Sequence, residues 1–285
     1  MSHNLRFRTH TKFISHHRNM NSRLQTSPKR TSECSNVQAP TSSTYSNEEL
    51  CSLWKSELES YVIPGKKEVL QRFFKTGKGE YGEGDIFLGI VVPDNRKVAR
   101  MFWDAPSEVI SEMILSPIHE FRLSGFLALV KRYEKSRNDP KAKNDIIDFY
   151  LKHAIYANNW DLVDLSAPKI LGEYVAETGQ HDILYRLMES ENLWEQRISI
   201  VSTYTLLCHG ISEPTIKIAT YFLLHPHDLM RKATGWMLRE MGKRVSEVEL
   251  CKFLDTHARI MPRTMLRYAI ERLPQTVRKH YMGLR

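Results

Sequence analysis

The chain has 285 residues, 41% of them hydrophobic, so it is not short of core and can form one large domain or two small ones. Its four cysteines, Cys34, Cys51, Cys208 and Cys251, lack any C-x-x-C pair or histidine at ligand spacing, which argues against a disulfide framework and a zinc site and fits a reducing, intracellular home. No run approaches the roughly 18 apolar residues that cross a bilayer, so a soluble chain with no membrane partner is expected.

The formal charge of +8 is unevenly placed: residues 1–45 carry +6, residues 229–285 carry +8, and the stretch between them about −6. A basic C-terminal third suits a surface that faces a polyanion; solvated helix faces would look the same. Residues 1–45 are rich in Ser, Thr, Arg, His and Asn and have no core stripe, so the segment reads as a disordered basic tail. Its composition also resembles an organellar transit peptide with a weak amphipathic pattern; a plain flexible tail or a start codon set too far upstream would look alike.

Order is expected from Ser46-Asn47-Glu48-Glu49, a helix cap with first-turn acids ahead of Leu50, Leu53, Trp54 and Leu58. Helices of about 10–18 residues follow, punctuated at Pro64-Gly65, Pro93, Pro106, Pro117, Pro140, Gly179, Pro214, Pro226, Pro262 and Pro274. Leu123, Phe126, Leu127 and Val130 keep the three-four spacing of one buried helix face. Strand alternation is absent, and Ile86–Val92 is only a short apolar run. Arginines recur near the starts of apolar helices at Arg122, Arg197, Arg231 and Arg267, at intervals of 75, 34 and 36 residues. The first interval holds another helix pair near Trp160, so the period of about 35–40 residues predicts an all-α, HEAT-like repeat solenoid over residues 46–285 with a concave face.

Gly77-Lys78-Gly79-Glu80-Tyr81-Gly82 spells G-x-G-x-x-G, but a helix end precedes it where a dinucleotide site needs a strand, so a mobile glycine loop is expected instead. His225-Pro226-His227-Asp228 lacks a third ligand and reads as a turn that starts a helix. In Asn158-Asn159-Trp160-Asp161-Leu162-Val163-Asp164, Trp160 and Asp164 lie four apart on one helix face. A structural account has an asparagine capping that helix, Asp161 offsetting its dipole and Trp160 in the core. A functional account lines up Trp160, Asp164, Arg197, Trp236 and Arg239 along one wall, since equivalent positions in successive repeats share a surface. Lys243, Arg244, Arg263 and Arg267 add cations beyond it.

These stretches, with Phe73-Phe74-Lys75-Thr76, Ile86-Phe87-Leu88-Gly89, Gly235-Trp236-Met237-Leu238-Arg239-Glu240 and Met261-Pro262-Arg263-Thr264, resemble the AlkD-type DNA alkylation repair family over about residues 50–283. The resemblance implies a monofunctional glycosylase that needs no cofactor and no metal, works as a monomer in a DNA-containing compartment, and releases cationic N3- or N7-alkylated purines from double-stranded DNA. It places the family's catalytic aspartate on Asp164, its tryptophans on Trp160 and Trp236, and its backbone-binding arginines on Arg197 and Arg239. An aromatic near the glycine loop belongs to the same site, with Tyr81 the best match. A non-catalytic binder of distorted or branched DNA and a protein-binding scaffold are the alternatives. The glycosylase reading requires the Asp164 carboxylate to open into the groove and not be tied up inside the fold.

Overall fold

The structure, a computed structural model, describes residues 45–284, so the segment expected to be a disordered tail lies, apart from Tyr45, outside the described residues. The elements are helices α1 (Asn47–Glu59), α2 (Lys66–Phe73), α3 (Val92–Ala99), α4 (Ser107–Ile114), α5 (His119–Lys135), α6 (Pro140–Lys152), α7 (Trp160–Ser166) and α8 (Leu171–Thr178). They continue with α9 (Asp182–Met188), α10 (Leu193–Cys208), α11 (Glu213–Tyr221), α12 (Asp228–Arg244), α13 (Glu247–His257), α14 (Arg263–Ala269) and α15 (Gln275–Gly283). No strand forms among the described residues; Ile86 makes only an isolated bridge to Ile118. Among the same residues, no helix is long and apolar enough to cross a membrane.

Local chemistry sets the boundaries. At α1 the Glu49 amide donates to Ser46 Oγ (3.2 Å) and the Ser46 amide donates to the Glu49 carboxylate (2.8 Å), closing a capping box. Leu50, Trp54 and Leu58 are buried along one face. Leu53, expected beside them, is 38% exposed, because it falls about 100° off the centre of that stripe. Pro93, Pro140 and Pro214 stand in the first turns of α3, α6 and α11, where a missing N–H costs nothing, and Pro106, Pro262 and Pro274 cap α4, α14 and α15. Pro168 adds a break that tightens the chain after α7 into a 3-10 turn, Ala167–Lys169. Three helices, α7, α9 and α14, run only seven residues, shorter than expected.

The solenoid has one row of helices in series: α5 packs on α7, α7 on α10, α10 on α12 and α12 on α14. These helices start at residues 119, 160, 193, 228 and 263, intervals of 33–41 residues that reproduce the period of the sequence. Further helices, including α4, α6, α8, α11 and α13, back this row. Glycine permits the tightest approaches within it. A Cβ on Gly235 would lie 2.4 Å from the Met265 carbonyl oxygen of α14, and one on Gly172 would lie 2.6 Å from that of Ser202 on α10. The apolar core runs under the row. Within it Trp54 stacks on Phe102 (4.9 Å between ring centres, 3° between planes) and donates Nε1–H to Ser124 Oγ (2.9 Å).

Candidate functional site

The row delivers the candidate residues in order: Trp160 and Asp164 on α7, Arg197 on α10, Trp236 and Arg239 on α12, Arg263 and Arg267 on α14. Asn159 is the cap of α7, accepting from the Trp160 amide (2.9 Å) while its Nδ2–H donates to Asp85 Oδ2 (3.1 Å). Asp161 lies in the first turn of α7, as expected of a group that offsets the helix dipole, and in addition its Oδ2 accepts from His119 Nε2–H (2.9 Å) inside the protein. Trp160 is half-buried, not a core residue. Its indole stacks on Phe74 (5.2 Å, 26°) and meets the edge of Phe73 (5.7 Å, 69°), and Phe73 itself is 44% exposed.

One turn beyond Trp160, Asp164 is held by a two-pronged guanidinium. Arg197 donates Nε–H to Oδ1 and Nη2–H to Oδ2, each at 3.0 Å, and its Nη1–H donates to the Leu229 carbonyl (2.8 Å). The Asp164 side chain keeps 16% of its surface open, against 6% for Arg197. Both carboxylate oxygens are therefore held by Arg197, and only a small part of the side chain stays open. Burial pushes its pKa up, the Arg197 charge and hydrogen bonds pull it down, and Asp161 adds a smaller upward push; the balance stays above the ordinary aspartate value.

Tyr81 joins this group from the glycine loop. Burial raises its phenol above the usual value, opposed by the facing Trp160 indole and by the Lys232 charge on α12. The loop is closed on itself: the Gly77 amide donates to the Glu80 carboxylate (2.9 Å) and the Gly79 amide to that of Glu83 (2.7 Å). The loop follows the end of α2 and not a strand, as expected, and two glutamates engage its amides. The histidine turn also forms as expected, with His227 capping α12 by accepting from the Leu229 amide (3.2 Å).

Farther along the row the arrangement loosens. Trp236 sits beside Tyr204 (6.3 Å, 41°), and the Tyr204 ring also carries the Arg244 guanidinium (4.6 Å). Arg239 is engaged with Glu240 (3.3 Å) and Glu271, Arg244 with Glu240 (2.9 Å), and Arg263 with the Met282 carbonyl (2.6 Å). Lys243 and Arg267 are exposed, and neither forms an ion pair among the described residues. Arg267 also lines a shallow cleft with Gln275, Arg278 and Lys279 of α15.

The sequence profile described as DNA alkylation repair enzyme matches residues 54–273, which contain α2 to α14 and every group just described except α15. The chain belongs to the DNA alkylation repair enzyme family. Membership assigns it a role in DNA repair and an encounter with DNA. A solved structure described as a predicted DNA alkylation repair enzyme from Enterococcus faecalis is similar in fold, with a TM-score of 0.59 at 17% identity, covering 74% of this chain and 96% of that one. No curated protein matches.

Within this repair-family fold the structure adds residues that spacing alone did not single out. Phe73 and Phe74 extend the aromatic wall of Trp160, and their adjacency in sequence was the available signal. Beneath them lies a buried polar cluster of Asp85, His119, Arg122 and Asp161, contributed by segments far apart in sequence and visible only once the chain is folded.

Proposed function

We propose that the protein is a DNA glycosylase that hydrolyses the N-glycosidic bond of cationic alkylated purines, of the 3-methyladenine and 7-methylguanine type, in duplex DNA. The observation that carries this reading is the Asp164 carboxylate, fixed by the Arg197 fork one helical turn from the Trp160 face, on a side chain that is mostly buried but keeps 16% of its surface open.

An alkylated purine already bears positive charge and leaves without protonation, so the demand on the protein is to steady the sugar as it becomes oxocarbenium-like. A carboxylate about 4 Å from the developing cation stabilises it by roughly 4 kcal/mol at an effective dielectric near 20, about a thousandfold in rate. The Arg197 charge offsets part of that field, so the figure is an upper bound for Asp164. The open part of the carboxylate also suits it to orient the attacking water. Trp160 and Trp236 present faces that attract a cationic nucleoside, each worth about 2 kcal/mol when desolvated. Tyr81 closes the site from the glycine loop. Arg197 acts through Asp164, and contacts to phosphates fall mainly to Lys243 and Arg267, with Arg239, Arg244 and Arg263 behind them.

One observation favours a second reading, a non-catalytic DNA-binding solenoid: a bidentate Arg–Asp pair is also what a purely structural bridge looks like. Asp164→Asn separates the two. The amide keeps an acceptor for Arg197 and removes the charge. For the glycosylase, release of 7-methylguanine falls by at least about a hundredfold, in line with loss of a groove charge, while affinity for the duplex stays near wild type. Excision by the variant at the wild-type rate would overturn the proposal, and a wild-type protein that binds the duplex without releasing base would establish the second reading.

A further inference from the structure

His119, the first residue of α5, is buried beneath the aromatic wall, with its ring stacked on Phe87 (4.4 Å, 23°) and tilted against Phe74 (5.0 Å, 37°). Both ring nitrogens face carboxylates: Nδ1 lies 3.2 Å from Asp85 Oδ2 and Nε2 lies 2.9 Å from Asp161 Oδ2. An ionised carboxylate only accepts, so both nitrogens must donate and the ring sits here as the imidazolium. The two carboxylates are not equally dependent on it. Asp85 also holds Arg122 and accepts from Asn159. Asp161 has no second hydrogen-bond partner among the described residues, for its Oδ1 is buried and accepts from no donor. A third carboxylate nearby, that of Glu120, is taken by the amides of Leu88, Gly89 and Ile90.

This cluster joins the two pieces of chain that carry the front of the site. Asp85 ends the glycine loop that presents Tyr81, and Asp161 belongs to α7, which presents Trp160 and Asp164. We infer that protonated His119 is a positioning residue, which pins α7 to the glycine-loop end through Asp161 and Asp85 and so fixes the spacing of Tyr81, Trp160 and Asp164. The inference rests on the proposed glycosylase reading for its effect on rate, but the clamp itself does not.

Burial works to lower the His119 pKa, but the Asp161 charge and hydrogen bonds to Asp161 and Asp85 outweigh burial and the repulsion of Arg122, raising it to about 9. A raised histidine pKa means that the clamp is complete below about 6.5, is kept through neutral pH, and is lost as pH rises through 9. Losing that proton leaves a single N–H between two carboxylates: held on Nε2 it still serves Asp161, and Nδ1 then turns a lone pair on Asp85 Oδ2, so the link between the two segments breaks and α7 is free to shift against the loop end.

The test combines two readouts between about pH 6 and 10, a range that brackets the expected transition. The first is indole fluorescence of the wild type, with Trp160→Phe to assign the Trp160 share. It should show a transition near pH 9 that is missing in His119→Gln and displaced to lower pH in Asp161→Asn. The second is single-turnover release of 7-methylguanine at saturating protein. Wild type should lose about tenfold per unit above the transition, as a single titration requires. His119→Gln should be about ten- to a hundredfold slower near neutral pH, the loss expected for one charged hydrogen-bonded group, and should have no alkaline limb, with duplex affinity retained. A merely structural histidine would lower stability without moving a limb. A wild type with no Trp160 transition, or a His119→Gln protein that keeps the alkaline limb, overturns the inference. A Trp160 transition that His119→Gln abolishes, in a wild type that releases no base at any pH, leaves the clamp standing and refutes the glycosylase reading instead.

Discussion

Arg197→Gln removes the guanidinium that grips Asp164 while keeping a polar side chain of similar reach. Two charge-assisted hydrogen bonds of 3.0 Å disappear, together with the cation paired to that carboxylate. At about 4 Å and an effective dielectric near 20 the lost attraction is roughly 4 kcal/mol. Because 16% of the Asp164 side chain is open, water repays a share of that loss, and the carboxyl should still rise further above its already elevated pKa. Only the ionised carboxylate steadies an oxocarbenium, so the acid limb of single-turnover excision should move to higher pH. Stability follows with a definite sign. A carboxyl whose folded pKa is raised weighs against folding at neutral pH and ceases to do so as pH falls through that pKa. The variant should therefore be about 3 kcal/mol less stable than wild type at neutral pH, and the gap should narrow as the solution is made acidic. The assay is the pH–rate profile at saturating protein beside thermal unfolding at each pH. An acid limb common to both proteins, with a stability gap that does not change with pH, would show that Asp164 is not the titrating group.

Gly235→Ala should cost about 2 kcal/mol by overpacking, because the new methyl would lie 2.4 Å from the Met265 carbonyl oxygen and 2.7 Å from Tyr268 Cβ, and the first of these is backbone that cannot rotate away. A melting point within about 1 °C of wild type, well under the shift such a cost produces, would count against the close α12–α14 approach. Salt titration of duplex binding sorts the cations by what they already hold. Lys243→Gln and Arg267→Gln should each lower the slope of log K against log salt by about 0.9, whereas Arg239→Gln, already engaged by Glu240 and Glu271, should mainly lower the melting temperature.

The helical solenoid was legible because its signals are local and repeated. Prolines at helix starts, the Ser46 capping box and arginines 34 and 36 residues apart each act within a few residues, and the row from α5 to α14 keeps their period. The meeting of Trp160, Asp164 and Arg197 was legible for the same reason, since α7 and α10 are successive members of the row. The fork that Arg197 makes on Asp164 was not, because it depends on how two neighbouring helices are rotated, which a period does not encode. Asp161 was legible only in part: its place in the first turn of α7 marks it as a dipole partner, and only the folded chain brings His119 to it. The Leu53 exposure is a matter of helix phase, and the break at Pro168 is a boundary effect of a few residues.

On the proposed glycosylase reading, the fork also bears on how an anion can persist in a trough that would face DNA. An unpaired carboxylate beside phosphates repels the ligand and, being partly buried, tends to take up a proton and lose the charge that stabilises a sugar cation. Pairing Asp164 with Arg197 answers both difficulties at the cost of some field at the reacting sugar. The guanidinium lowers the carboxyl pKa against burial and makes the local charge near zero for an approaching backbone. Arg197→Lys is then the informative substitution: it keeps the positive charge but supplies a single point donor in place of two parallel ones. Duplex affinity should stay within about threefold of wild type, because the net charge is unchanged. Excision should fall by about tenfold, the cost of one lost charge-assisted hydrogen bond that had fixed the carboxylate orientation. If affinity dropped as far as excision, Arg197 would be holding phosphate and not Asp164, and the division of labour along the row would have to be redrawn.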